Sequence, residues 1–138
     1  MKIDATQIID WNKALVLKSK EPHGIIKQGI EAALHRTEYY DTEVEKAAAL
    51  FHSLINNHYF LQANKRTAMV ALLVYLSDDT LSDDFLESLV MDTVNANLQV
   101  DDIVERLRSE LTVREGRKVL VQEIFQKYEA LIEKLINM

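Results

Sequence analysis

The unbroken apolar run Ala68–Leu76, entered through Thr67, limits the fold more than any other feature of the chain. A helix that is apolar on every side is normally enclosed by other helices. The run is far shorter than the ~20 residues that span a bilayer. It therefore predicts a central helix inside a helical bundle. Turn formers are scarce around it: the chain has 3 glycines and 1 proline, and Pro22, Gly24 and Gly29 share one stretch. Long helices with few connections follow.

Helical periodicity fills in the rest. Ile8, Ile9, Trp11, Leu15 and Val16 mark an amphipathic first helix from Ala5 to Lys18, followed by a loop from Ser19 to Gln28 and a short helix from Gly29 to His35. Val44, Ala47, Ala48, Phe51, Leu54 and Ile55 form a core-facing stripe that begins after the cap candidate Thr42, and His58 extends it by one turn. Two more amphipathic helices are expected at Phe85–Val94 and Asp101–Leu111, with Ser82 and Asp101 as caps. A last one runs from Lys118 to Ile136, with Leu120, Ile124, Phe125, Tyr128, Leu131, Ile132 and Leu135 on one side. No alternating strand pattern of any length is present, so the class is all-α.

With 138 residues the chain is expected to form one domain around one core. The absence of cysteine excludes a disulfide framework and a thiolate metal site. A first segment with two acids and no apolar core does not read as a signal, so a cytoplasmic, membrane-free setting is expected. A net charge of -6 argues against broad nucleic-acid binding, which needs a cationic surface, and leaves room for one local basic site. His23, His35 and His52 are scattered, and Asp78, Asp79, Asp83 and Asp84 lack the glycine and ligand spacing of a calcium loop. The histidines read as surface or helix-face residues and the acids as a solvated connection. Tyr39 and Tyr40 read as packing at a helix end.

Chemistry concentrates in the segment His58-Tyr59-Phe60-Leu61-Gln62-Ala63-Asn64-Lys65-Arg66. A helix starting near Asn64 presents free amides and its positive dipole end to the loop, which is a ready anion site. Lys65 and Arg66 oppose that dipole, a placement that makes sense where an anion is bound. Asn64 can cap the helix and offer its amide to a phosphate oxygen. Arg66 can fork onto phosphate, and Lys65 can act as a point charge. The loop returns His58 over the anion, with a pKa range suited to taking a proton from a hydroxyl. Phe60 reads as the hydrophobic anchor of the loop.

This segment resembles the Fic/Doc signature: His, any residue, Phe, any residue, an acid, Gly or Ala, Asn, Gly or Lys, Arg. It matches at His58, Phe60, Ala63, Asn64, Lys65 and Arg66. Ala63 and Lys65, with Thr67-Ala68 following, are similar to Doc (death-on-curing) proteins more than to adenylylating Fic proteins. The likeness extends over roughly residues 4–111, so the organisation expected is a Fic/Doc-like bundle at 1–111 with a C-terminal helical extension, 112–138, packed on it. The resemblance implies a toxin of a toxin–antitoxin pair. It would transfer the terminal phosphate of ATP to a Ser or Thr hydroxyl of a protein, elongation factor Tu in Doc proteins, and an antitoxin partner would silence it.

By position, the resemblance makes His58 the general base and Ala63, Asn64, Lys65 and Arg66 the nucleotide-phosphate site. The family's Mg²⁺-binding acid falls on Gln62, whose amide oxygen can ligate the ion but brings no charge. Two alternatives therefore stand beside the kinase: a nucleotide-binding regulatory module without turnover, and an adenylyl transferase (AMPylation). The Ser19–Gln28 loop corresponds to the region that docks the protein target. The C-terminal stretch could pack on the body, pair with a second copy or block the site. Glu115-Gly116 is similar to the end of an inhibitory motif of some Fic proteins, but Leu111 stands where that motif has Ser or Thr, which argues against an inhibitory tail.

Overall fold

The computed structural model describes residues 3–111 and 120–138. Among these the chain forms helices α1 (Ala5–Ser19), α2 (Ile30–Arg36), α3 (Glu43–Asn56), α4 (Asn64–Leu76), α5 (Asp83–Asn95), α6 (Val100–Glu110), α7 (Val121–Lys127) and α8 (Glu129–Leu135), with a 3-10 turn at Thr37–Tyr39. No sheet occurs among the described residues; the one β-type pairing is an isolated antiparallel bridge between Ile25 and Phe60. The all-α expectation holds.

Helix α4 lies in the middle. Every residue from Arg66 to Val74 is buried, and Ala68 to Leu73 are fully enclosed. It packs most extensively on α3, then on α1 and α7, with α5 and α8 completing the enclosure. The stripe on α3 supplies the facing wall through Ala47, Ala48, Phe51, Leu54 and Ile55. Each such large side chain contributes about 1.5–3 kcal/mol by leaving water.

The ends of the helices follow local chemistry. Asp4 and Gln7 at α1, and Thr42 and Glu45 at α3, form capping boxes in which side chains satisfy the free amides of the first turn. Ser82 caps α5 as expected. Asp101 does not cap α6: Gln99 takes that place and Asp101 sits in the first turn, where a carboxylate favours the helix dipole. Tyr39, in the 3-10 turn that follows α2, is 86% exposed, so it does not pack into the body as expected.

The expected last helix is two. Tyr128, at φ -109 and ψ 22, breaks it between α7 and α8. The tyrosine is itself fully buried, and its hydroxyl donates to the Leu81 carbonyl at 2.8 Å, so tertiary anchoring of one ring outweighs helix continuity. The Lys118 start of that helix and the Glu115-Gly116 pair lie outside the described residues. Ile124, Leu131, Ile132 and Leu135 bury α7 and α8 on the body, and Lys134–Glu87 at 2.7 Å and Lys18–Glu129 at 3.4 Å tie α8 to α5 and α1. No described helix is long and apolar enough to cross a membrane.

Candidate functional site

The site is built where α3 ends and α4 begins. α3 stops at Asn56, so His58 does not continue its apolar stripe: it is exposed and adopts a left-handed backbone, φ 52. That turn aims the following residues back across the end of the helix pair. Tyr59 and Phe60 are then buried at 2% and 1% exposure. A second left-handed residue, Ala63 at φ 66, directs the chain into α4. Two positive-φ residues that are not glycine bracket the loop, each a strained conformation held by its surroundings.

What holds it is a set of hydrogen bonds to distant elements. The Tyr59 carbonyl accepts from Ile26 N at 2.8 Å and Lys27 N at 3.3 Å, and Leu61 N donates to the Gly24 carbonyl at 2.8 Å. The Tyr59 hydroxyl pairs with Ser53 Oγ at 3.0 Å and accepts from Asn57 Nδ2 at 3.2 Å. Gly29, at φ 135, leaves room for that ring: a Cβ there would stand 3.0 Å from Tyr59 Cε1.

Asn12, fully buried on α1, donates through Nδ2 to the Gln62 carbonyl at 2.9 Å and to Thr67 Oγ1 at 3.0 Å. It thus fastens both sides of the junction into α4. The geometry fixes the amide orientation, because the Gln62 carbonyl can only accept. Asn12 interrupts the apolar face of Ile8, Trp11, Leu15 and Val16, a legible signal that the sequence reading passed over.

Asn64 does not cap α4. Ala63 occupies the cap position, and the Asn64 side chain turns back to accept from Phe60 N at 3.1 Å and donate to Phe60 O at 2.9 Å. Its role in the fold is to close the loop on itself. The amides of Asn64, Lys65 and Arg66 fall in the first turn and so have no intrahelical acceptor. Thr67 N donates to the Ala63 carbonyl at 2.9 Å, starting the helical ladder.

The expected residues converge on one cavity of about 250 Å³, lined by His58, Gln62, Ala63, Asn64, Lys65 and Arg66. Phe60, buried in the core, does not line it. Two of the cations are already engaged. Arg66, 4% exposed, pairs through Nη2 with Glu21 Oε1 at 2.7 Å and donates through Nη1 to Ser19 Oγ at 3.2 Å. Burial raises the Glu21 carboxyl, but the Ser19 hydroxyl and the Arg66 guanidinium outweigh it and hold the group below its ordinary value. Lys65 Nζ donates to the Met138 carbonyl at 3.3 Å.

Ser19 and Glu21 belong to the loop expected to dock the target and Met138 to the C-terminal extension, and no local pattern marks any of the three as a partner of Arg66 or Lys65. Glu21 is the carboxylate of this cavity, since the motif's own acid position holds Gln62. Among the described residues no group of three or more His, Asp or Glu is placed to hold a metal ion. The donors present, one carboxylate already paired with arginine and one amide, could hold Mg²⁺ only with phosphate oxygens completing the shell.

The arrangement can receive an anion at the end of α4, neutralise it with Lys65 and Arg66, and bring an exposed imidazole to its edge. Residues 2–76 match the Fic/DOC family. No curated protein matches the chain.

Proposed function

The chain belongs to the Fic/DOC family, and from that premise we propose that it is a Doc-type transferase that moves a phosphate from ATP to a protein hydroxyl. Membership implies a nucleotide transferase acting on proteins. The Doc assignment is supported by Ala63 and Lys65 within the motif. One observation carries the reading: the first turn of a buried helix opens into a cavity that His58 and two cations share.

In this reading the amides of Asn64, Lys65 and Arg66 and the Lys65 ammonium hold the polyphosphate, and His58 takes the proton of the acceptor hydroxyl as it attacks. Arg66 turns part of its guanidinium from Glu21 to the phosphates. Mg²⁺, when bound, would supply charge neutralisation on the phosphate oxygens, with Gln62 as a neutral ligand. In the same reading the Ser19–Gln28 loop, bonded through Gly24, Ile26 and Lys27 to Leu61 and Tyr59 beside the site, docks the protein target. Elongation factor Tu is the first target to try, and an antitoxin the expected silencing partner.

The test is mass spectrometry of cell extract incubated with γ-labelled ATP. A labelled protein with wild type and none with His58→Ala supports phosphoryl transfer. A mass gain of an adenylyl group on that protein would replace it with adenylylation. A second reading, nucleotide binding without turnover, is favoured by Gln62, which removes the motif's only carboxylate. Calorimetry showing ATP bound and unhydrolysed, with extract unlabelled, would establish it.

A further inference from the structure

Resting on the nucleotide reading above, we infer that Glu21 is the carboxylate that stands in for the missing motif acid, holding the Mg²⁺ of a bound nucleotide with one oxygen while the other steadies Arg66. Mg²⁺ on a polyphosphate takes one or two carboxylates, and phosphate oxygens and water fill the rest of its shell. The motif itself supplies no carboxylate, since its acid position holds Gln62. Glu21 is the only acidic side chain among the described residues that line the cavity, and Gln62 lines the same cavity.

The end of α1 brings Glu21 there on a rigid base. Lys20 takes a left-handed backbone, φ 61, and its N–H donates to the Leu17 carbonyl at 3.3 Å, while Glu21 N donates to the Val16 carbonyl at 2.9 Å. This pair of bonds closes the C-terminus of a helix and fixes the residue that follows the left-handed one. Val16 is buried, so the Glu21 backbone is tied to the body and only its side chain has freedom.

The two oxygens of that side chain are used unequally. Arg66 Nη2 donates to Oε1 at 2.7 Å, and the Ser19 hydroxyl bonds the same Oε1. Oε2 accepts from none of the described residues. Arginine and carboxylate pair most strongly fork to fork, through both oxygens. Here the pairing is one-sided, and the carboxylate keeps the lone pairs of Oε2 for another cation. Glu21 can therefore ligate an ion without giving up Arg66, and the guanidinium and the ion share one anchor beside the phosphates.

Calorimetry of a non-hydrolysable ATP analogue, run once with Mg²⁺ and once with EDTA, tests this on wild type, on Glu21→Gln, and on Glu21→Gln combined with Gln62→Asp. Glu21→Gln keeps an oxygen for Arg66 and Ser19 and removes the charge. Wild type should bind the analogue about tenfold more tightly with Mg²⁺ than with EDTA. Glu21→Gln should lose most of that difference, and Gln62→Asp, which returns an acid to the motif, should restore it. Bound Mn²⁺, counted by electron paramagnetic resonance with the analogue present, should follow the same order. A residue that only props Arg66 would shift both affinities alike and gain nothing from Gln62→Asp, and that result would overturn the inference. Should Glu21→Gln not fold, Glu21→Asp keeps the charge but draws the carboxylate back by one methylene, and it should reduce the Mg²⁺ gain in the same direction. A full Mg²⁺ gain in Glu21→Gln, or equal affinities with Mg²⁺ and EDTA in wild type, would overturn the role of Glu21 and leave the phosphate site standing. No binding of the analogue by any form would overturn both.

Discussion

Removing Glu21 should destabilise the protein more than removing Arg66, although Glu21 is the more exposed partner. Side-chain exposure is 4% for Arg66 and 21% for Glu21. Glu21→Ala leaves a guanidinium in the interior with only Ser19 to face. Breaking a fully buried pair in this way costs about 3–5 kcal/mol. Because Glu21 keeps one side toward water, a value of about 3 kcal/mol is expected.

Arg66→Met fills the same volume with apolar atoms, and the freed carboxylate can turn to solvent, so about 1–2 kcal/mol is expected. The double variant Glu21→Met with Arg66→Met buries no lone charge and should fall within about 1 kcal/mol of wild type. For a chain of this size 1 kcal/mol moves Tm by roughly 3–5 °C. Glu21→Ala should therefore lower Tm by about 10 °C, which thermal unfolding followed by circular dichroism reads directly.

The pH dependence carries the same signature. The folded Glu21 carboxyl lies below its ordinary value of 4.5, so between the two values the unfolded chain binds more protons and stability rises with pH. The contribution is fully present above about pH 4.5 and is lost as pH falls through the folded value. Wild type should show this acid slope, and Glu21→Ala should show less of it. A Tm within about 2 °C of wild type for Glu21→Ala, or a double variant as unstable as Glu21→Ala alone, would refute the pairing argument.

Further outcomes are expected. Gln62→Asp restores a carboxylate at the metal position and should raise Mg²⁺-dependent transfer or ATP hydrolysis; a magnesium titration giving equal rates for both proteins would count against it. Gly29→Ala forces an L-residue into φ 135 and a Cβ to 3.0 Å from the Tyr59 ring, so a loss of about 2–3 kcal/mol in denaturant unfolding is expected. Tyr128→Phe leaves the Leu81 carbonyl without its donor and should cost about 1–2 kcal/mol, measured as a lower urea midpoint at unchanged m.

Much of the fold was legible because helices are local objects. The run Ala68–Leu76, the stripe on α3 and the caps at Thr42 and Ser82 each depend on residues within a turn or two of one another, and each appears where its spacing puts it. The break at Tyr128 was illegible, since only the distant Leu81 carbonyl makes burying that ring there favourable. The same holds for Asn64, whose side chain suits a cap in isolation but is recruited to close the loop on Phe60.

By itself, then, the sequence determined an all-helical chain with one enclosed helix and a Fic/DOC-type motif at its start, because periodicity and a contiguous motif are read along the chain. Tertiary structure decided how that motif is held and what already occupies it. Asn12 reaches Gln62 across 50 residues, Glu21 reaches Arg66 across 45, and Met138 reaches Lys65 across 73. Contacts at such separations follow from how helices pack, and no local pattern of residues encodes them.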